Sequence, residues 1–204
     1  MKAVISMQLS QLLPIETKDL WEGRANKVLS HFPLNNPDEI DMYEICRRYG
    51  INIKPLDKHY FDDDSWNDLF HADLKAFSVP KSKGRRGTIY LRPGLDHIEK
   101  KLILAEEFCH CYSHHISQVS ADKVMIEKTE AQAKRMSAYL LMPARFIENI
   151  YTAAAEEAIF ISDVADYFVV TEEFARYRLE LIYHHRVDGF GKVRNKVGSI
   201  EWLE

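Results

Sequence analysis

Cysteine is scarce in this chain of 204 residues: only Cys46, Cys109 and Cys111 are present. An odd count without framework spacing excludes a disulfide-stapled scaffold and predicts a reducing, cytoplasmic setting. A positive surplus is lacking too. The 27 Lys and Arg are outnumbered by 31 Asp and Glu, for a net charge of -4. That balance argues against a nucleic-acid surface, which needs a basic face. No apolar run is long enough to cross a bilayer. Met1 to Leu13 is broken by Gln8 and Gln11 and does not read as a signal peptide. Internal repeats and low-complexity tracts are absent. What remains is ordinary globular composition, 46% apolar, 11% aromatic and 28% charged, enough for a packed core. The length predicts one domain, or one with a small appendage.

Several local patterns fail as sites. Asp62-Asp63-Asp64 begins like a calcium loop, but Trp66 falls where a ligand is needed and the required Gly is missing. An acidic surface loop is expected. Gly189-Phe190-Gly191-Lys192 is an incomplete phosphate-loop fingerprint. The basic clusters Lys81 to Arg86 and Lys192 to Lys196 read as solvated loops.

The spacing predicts helices over Thr17 to Ser30 and Asp38 to Tyr49, with Gly50 as a C-cap. Strands follow at Ile51 to Lys54, Leu74 to Val79 and Thr88 to Leu91, the last two as a hairpin. Asp96 to about His115 is strongly helical, with Ile98, Leu102, Ala105, Phe108 and Tyr112 in one apolar row. Further helices are expected over Val124 to Leu141, Pro143 to Ala158, Ile161 to Phe168 and Thr171 to Tyr183. The order of helices, a short sheet and helices makes the class α+β.

The chemistry concentrates in Glu106-Glu107-Phe108-Cys109-His110. Residues four apart share a helix face. Glu106 and His110 can therefore grip one metal, with Glu107 beside them to handle a proton. This is the geometry of an H-E-x-x-H helix with Glu106 in place of the first His. A carboxylate–His pair at this spacing is also common on solvated helices. Glu107 between the pair, the apolar character of the helix, and Glu130 on the next helix favour a site. Glu130 precedes a small-residue face, Ala131, Ala133, Ser137 and Ala138, that permits close packing. Sliding the register to pair Glu107 with Cys111 puts Phe108 where a base must stand, which excludes it for an enzyme.

Glu130-Ala131-Gln132-Ala133-Lys134-Arg135-Met136-Ser137-Ala138-Tyr139-Leu140-Leu141-Met142-Pro143 resembles the second motif of the ImmA/IrrE family of metallopeptidases, E-x-Q-A-x-x-F-A-x-x-L-L-M-P. The first motif there is H-E-x-G-H. Tyr49 to Ile53, Gly87 to Leu91, Ile161 to Val170 and Arg178-Leu179 extend the resemblance to roughly residues 17 to 185. It implies a zincin-like, minimal gluzincin domain with a small three-stranded sheet and a helical, helix-turn-helix-like C-terminal region. The expected organisation is an extension over 1–16, the peptidase domain over 17–150, and a helical region with a tail over 151–204.

Carried over by position, His110 and Glu130 are zinc ligands, Glu107 is the general base and Glu106 stands where the first His ligand belongs. A carboxylate oxygen reaches zinc at about the His distance, 2.0–2.2 Å. Two carboxylates and a neutral His leave a divalent site formally neutral, so it acidifies water less. An oxygen-rich set also shifts preference toward manganese or iron(II). The resemblance implies cleavage of a helix-turn-helix repressor that silences a prophage or other mobile element. The alternative is a lapsed zincin-like module acting as an antirepressor by binding. Neither nucleic acid nor membrane is an expected partner. The strand over Thr88 to Leu91 is expected to take the substrate backbone. No oxyanion donor is assigned among His71, His97, His114 and Tyr112. Cys109 and Cys111 are expected to be packed or idle thiols. Thr171-Glu172-Glu173 would repel phosphate, which disfavours a DNA-reading helix.

Overall fold

The computed structural model describes residues 4–8, 19–57, 74–81, 86–113, 123–193 and 195–203. The Asp62 to Asp64 run, Trp66, His71, His114 and most of the Lys81 to Arg86 loop lie outside them. The chain divides into two compact units, Asp41–Ser137 and Met1–Ile40 with Ala138–Glu204.

The Asp41–Ser137 unit carries the candidate chemistry. Helix α2, Met42–Arg48, starts where the Asp41 carboxylate accepts from the Tyr43 and Glu44 amides. Such a cap satisfies donors that the first turn leaves unpaired. The chain reverses at Gly50, whose φ of +68° suits glycine, and enters β2, Ile51–Pro55. Strands β3, Ala76–Pro80, and β4, Gly87–Leu91, complete a three-stranded sheet in the order β2-β4-β3. The expected hairpin is there: β3 and β4 are antiparallel, with Ser78 opposite Ile89. Strand β2 runs parallel to β4.

Helix α3, His97–Ser113, packs on β3 and α2. Asp96 caps it through the Ile98 and Glu99 amides. Its buried residues are Leu104, Ala105, Phe108, Cys109, His110, Cys111 and Tyr112. Tyr49 meets both Phe108 and Tyr112 edge-on, at 5.4 and 5.5 Å between ring centres. Helix α4, Lys123–Leu141, follows, and the Ser113 hydroxyl donates to Met136 Sδ at 3.4 Å. Ala133 and Ser137 are buried on α4 as the small-residue argument expects, whereas Ala131 is exposed. It lies two residues from Ala133 and so points elsewhere on the helix.

The second unit holds α1, Leu20–Leu29, the last turn of α4, α5, Ala144–Ala153, α6, Ile161–Phe168, and α7, Glu172–Tyr183. Thr171 caps α7, its hydroxyl accepting from the Phe174 amide. Helix α5 stops five residues short of the expected Ala158, because the chain turns at Ala154 and enters β5, Ile159–Phe160. A four-stranded sheet then appears that the sequence reading lacks, in the order β1-β7-β6-β5. Its other members are β1, Val4–Gln8, β6, Gly189–Val193, and β7, Lys196–Leu203. The helical part of the 151–204 region is chiefly α6 and α7, and the tail that follows them is largely sheet.

Buried charge holds this unit together. The Arg178 side chain is 0% exposed; its Nε donates to the Met142 carbonyl at 2.9 Å, and Nη2 lies 3.4 Å from Glu22. Burial pulls the Arg178 guanidinium down to about 10, against the charge of Glu22. Asp188, also 0% exposed, pairs with Arg176 at 2.9 Å and Arg186 at 2.8 Å.

Candidate metallopeptidase site

Glu106, Glu107 and His110 occupy consecutive turns of α3, and Glu130 lies on the second turn of α4. The helices bring two of these together: His110 Nε2 stands 3.3 Å from Glu130 Oε2. His110 is buried, while the Glu130 side chain is 43% exposed. Two ligands on one tetrahedral zinc, with bonds of about 2.0–2.1 Å, stand about 3.3–3.4 Å apart. The pair therefore already has ligand spacing. Burial alone would lower the His110 pKa. The Glu130 hydrogen bond and the charges of Glu107, Glu130 and Glu106 outweigh it, and the net shift is upward.

Glu107 lies between Glu106 and His110 on α3 and faces the sheet. Its Oε2 is fully enclosed and has no hydrogen-bond partner. Burial pushes the Glu107 carboxyl up to about 7, with His110 and Ser78 pulling down and Glu106 and Glu130 adding to the rise. Such a group is poised to exchange a proton near neutral pH. Burial also raises Glu106, and the Glu130 charge adds to it, while His110 and Lys134 oppose.

The donor set suits a divalent metal in kind: one imidazole and two carboxylates. In spacing, the fit is complete for His110 and Glu130 only. Among the described residues, no three His, Cys, Asp or Glu side chains form a group that could hold a metal ion. Glu106 shares the electrostatics of the pair without closing a triad.

Other side chains sort clearly. Cys109 and Cys111 are packed thiols, both 0% exposed. Tyr112 is buried in the aromatic cluster with Phe108 and Tyr49. His97 is exposed at the start of α3. The substrate strand needs correcting. Strand β4 is central, with β2 on one side and β3 on the other, so both its edges are taken and no peptide can add to it. Sequence reasoning also passed over Ser78 on β3, which is 4% exposed and acts on Glu107. The available signal was a lone hydroxyl at an inward position of an alternating strand.

A small α+β module with α3 packed on a three-stranded sheet, and a buried Glu beside a His–Glu pair, fits a zincin-like metallopeptidase fold. The model of the peptidase family M78, described as the IrrE N-terminal-like domain, matches residues 46–180, about two thirds of the chain, and the chain belongs to that family. No curated protein matches it. No helix among the described residues is long and apolar enough to cross a membrane.

Proposed function

We propose that the chain is a metal-dependent endopeptidase of the cytoplasm that cleaves a helix-turn-helix repressor and so relieves silencing of a prophage or other mobile element. The observation that carries this reading is the Glu107 carboxyl. It is enclosed, its Oε2 lacks a partner, and it is held near 7 beside the His110–Glu130 pair. Leaving a buried polar atom unpaired costs on the order of 1–3 kcal/mol. A general base gains from that cost, since catalysis is most effective with a pKa near the working pH.

Glu106, His110 and Glu130 are the residues that would hold zinc, or manganese or iron(II) given the oxygen-rich set. A metal bound there supplies Lewis acidity, polarising the scissile carbonyl and making water a better acid. The remaining steps belong to the chain. Glu107 takes a proton from the attacking water and returns it to the leaving amine nitrogen. Strand β3 is an edge of its sheet and lies against α3. It is therefore the strand to which an extended peptide adds, with main-chain hydrogen bonds holding the scissile bond beside Glu107.

A second reading draws on Glu106, a carboxylate where the family's first His ligand belongs. There the module has lapsed as an enzyme and silences the repressor by binding alone, as an antirepressor. Glu107→Gln separates the two. The peptidase loses cleavage of its repressor and still captures it in a pull-down. The binding module loses nothing on substitution, and repressor incubated with wild type stays intact.

A further inference from the structure

Among the described residues, the sheet of the Asp41–Ser137 unit has β3 at one edge and β2 at the other, and the proposed peptidase uses only β3. The register shows what β2 offers on its outer side. Along a strand, the residues whose main chain bonds a given neighbour alternate. The Leu56 amide donates to the Leu91 carbonyl at 2.8 Å, and Pro55 stands opposite Leu91. Asn52, Lys54 and Leu56 therefore turn their main-chain groups toward β4, while Ile51, Ile53 and Pro55 turn theirs outward. Pro55 has no N–H to lose, and it falls in the outward set, where an edge strand tolerates proline. Among the described residues, no hydrogen bond is made to the outward groups of Ile51 and Ile53. An edge of that kind is a template for a further extended chain.

A cavity of about 400 Å³ lies along this edge, walled by Asp41, Tyr43, Glu44 and Arg47 on one side and by Ile51 and Ile53 on the other. Its charges sort simply. Arg47 Nε and Nη2 each donate to the Glu44 carboxylate at 2.7 Å, so these two cancel. Asp41 is left as the uncancelled charge. Its Oδ1 accepts from the Tyr43 and Glu44 amides, and Oδ2 has no hydrogen bond among the described residues. The Tyr43 ring, 48% exposed, adds an aromatic face to the same wall. Burial raises the Tyr43 pKa and the Asp41 charge adds to it, so the carboxylate is felt at the phenol. A carboxylate with an exposed aromatic ring is a receptor for an organic cation, which pairs with the one and lies over the other. An acidic side chain would be repelled.

We propose that the outer edge of β2 is a second peptide-docking site, which takes an extended segment of a partner protein carrying a lysine or arginine. The segment pairs its main chain with Ile51 and Ile53 and sets the cationic side chain in the cavity against Asp41 and Tyr43. The site lies at the opposite edge of the sheet from β3, and it holds a basic partner whether or not Glu107 acts as a base.

The test is a titration of the isotope-labelled full chain, followed by its backbone amide NMR signals. The probe is a short synthetic peptide of alternating Val and Lys with blocked ends, compared with the same peptide carrying Glu in place of Lys. The Lys peptide should shift the Ile51 and Ile53 signals saturably, and the Glu peptide should bind several-fold more weakly. Ile53→Pro removes an outward N–H without breaking the bonds to β4, and it should abolish the shifts. Asp41→Asn still caps α2 and should erase the preference for Lys over Glu; it decides the matter if Ile53→Pro does not fold. Shifts confined to Ala76 and Ser78 on β3, no saturable shift at all, or equal binding of the two peptides would overturn the proposal. So would Ile51 and Ile53 signals that move when the protein alone is concentrated, since the occupant would then be a second copy of the chain.

Discussion

His110 Nε2 and Glu130 Oε2 face each other at 3.3 Å across two helices, though twenty residues separate them in sequence. Without a metal, burial would lower the His110 pKa, but the Glu130 hydrogen bond and the neighbouring carboxylates prevail and raise it, favouring the protonated imidazole. With a metal the same proton has to leave, because ligands bind deprotonated. Zinc binding is thus expected to release protons at neutral pH. Calorimetry in buffers of different ionisation enthalpy reads that release directly. His110→Ala and Glu130→Gln should each weaken binding by more than the roughly 10–100-fold typical of outer-shell losses.

The Glu22–Arg178 pair makes a stability prediction. Neither side chain has access to water beyond 6%, and burial outweighs the attraction of Arg178 in raising the Glu22 pKa. Removing one partner of a buried pair strands the other charge, which costs on the order of 3–5 kcal/mol. Glu22→Leu and Arg178→Met should each lower the urea midpoint steeply. The double substitution should cost less than the sum of the two, since no charge is left behind. Strict additivity in the double-mutant cycle would contradict the pairing.

Asp188 governs acid stability. Burial would raise its pKa, but the Trp202 amide and the Arg176 and Arg186 guanidiniums prevail and hold it below the usual carboxylate value. A depressed carboxylate contributes stability above its unfolded pKa of about 3.9 and loses it as pH falls through the folded value. Unfolding free energy should therefore decline below about pH 4. Asp188→Asn should flatten that decline and cost on the order of 1–3 kcal/mol at neutral pH. Chemical denaturation across pH 2.5 to 7, a range set by the roughly 3.9 reference value, checks both.

Gly87→Ala should destabilise the site unit. The added methyl meets Cys111 Sγ at 2.6 Å and the Val79 carbonyl oxygen at 2.8 Å. Overpacking of this kind costs about 1–3 kcal/mol. Combining it with Cys111→Ala should recover only part of the loss, because the Val79 oxygen belongs to the β3 backbone and cannot step aside. Thermal melts of the single and double variants decide this.

Helices α3, α4, α6 and α7 were legible because their signals are local, above all apolar rows at helical spacing such as Ile98, Leu102, Ala105, Phe108 and Tyr112. The family resemblance was legible because a contiguous motif, Glu130 to Pro143, carries it. The four-stranded sheet was not, since β7 takes its partner Val4–Gln8 from the far end of the chain and β6 is interrupted by Gly189 and Gly191. Strand order is likewise a tertiary property, so nothing in Thr88 to Leu91 marks it as central. The buried ions were missed for a related reason. Arg178 and Asp188 look like surface residues until Glu22, Arg176 and Arg186 are brought against them. Ser78 showed only as a strand residue, and its bearing on Glu107 appears once α3 lies over β3.

The central claim is that Glu106, His110 and Glu130 hold a metal beside Glu107. Elemental mass spectrometry of the untagged protein, purified without chelators and then offered zinc or manganese, tests it most directly. The account predicts roughly one metal ion per chain, lost in His110→Ala and bound more tightly in Glu106→His. A protein that stays empty with either metal, and fills only when Glu106 becomes His, would contradict it and leave the antirepressor reading in its place.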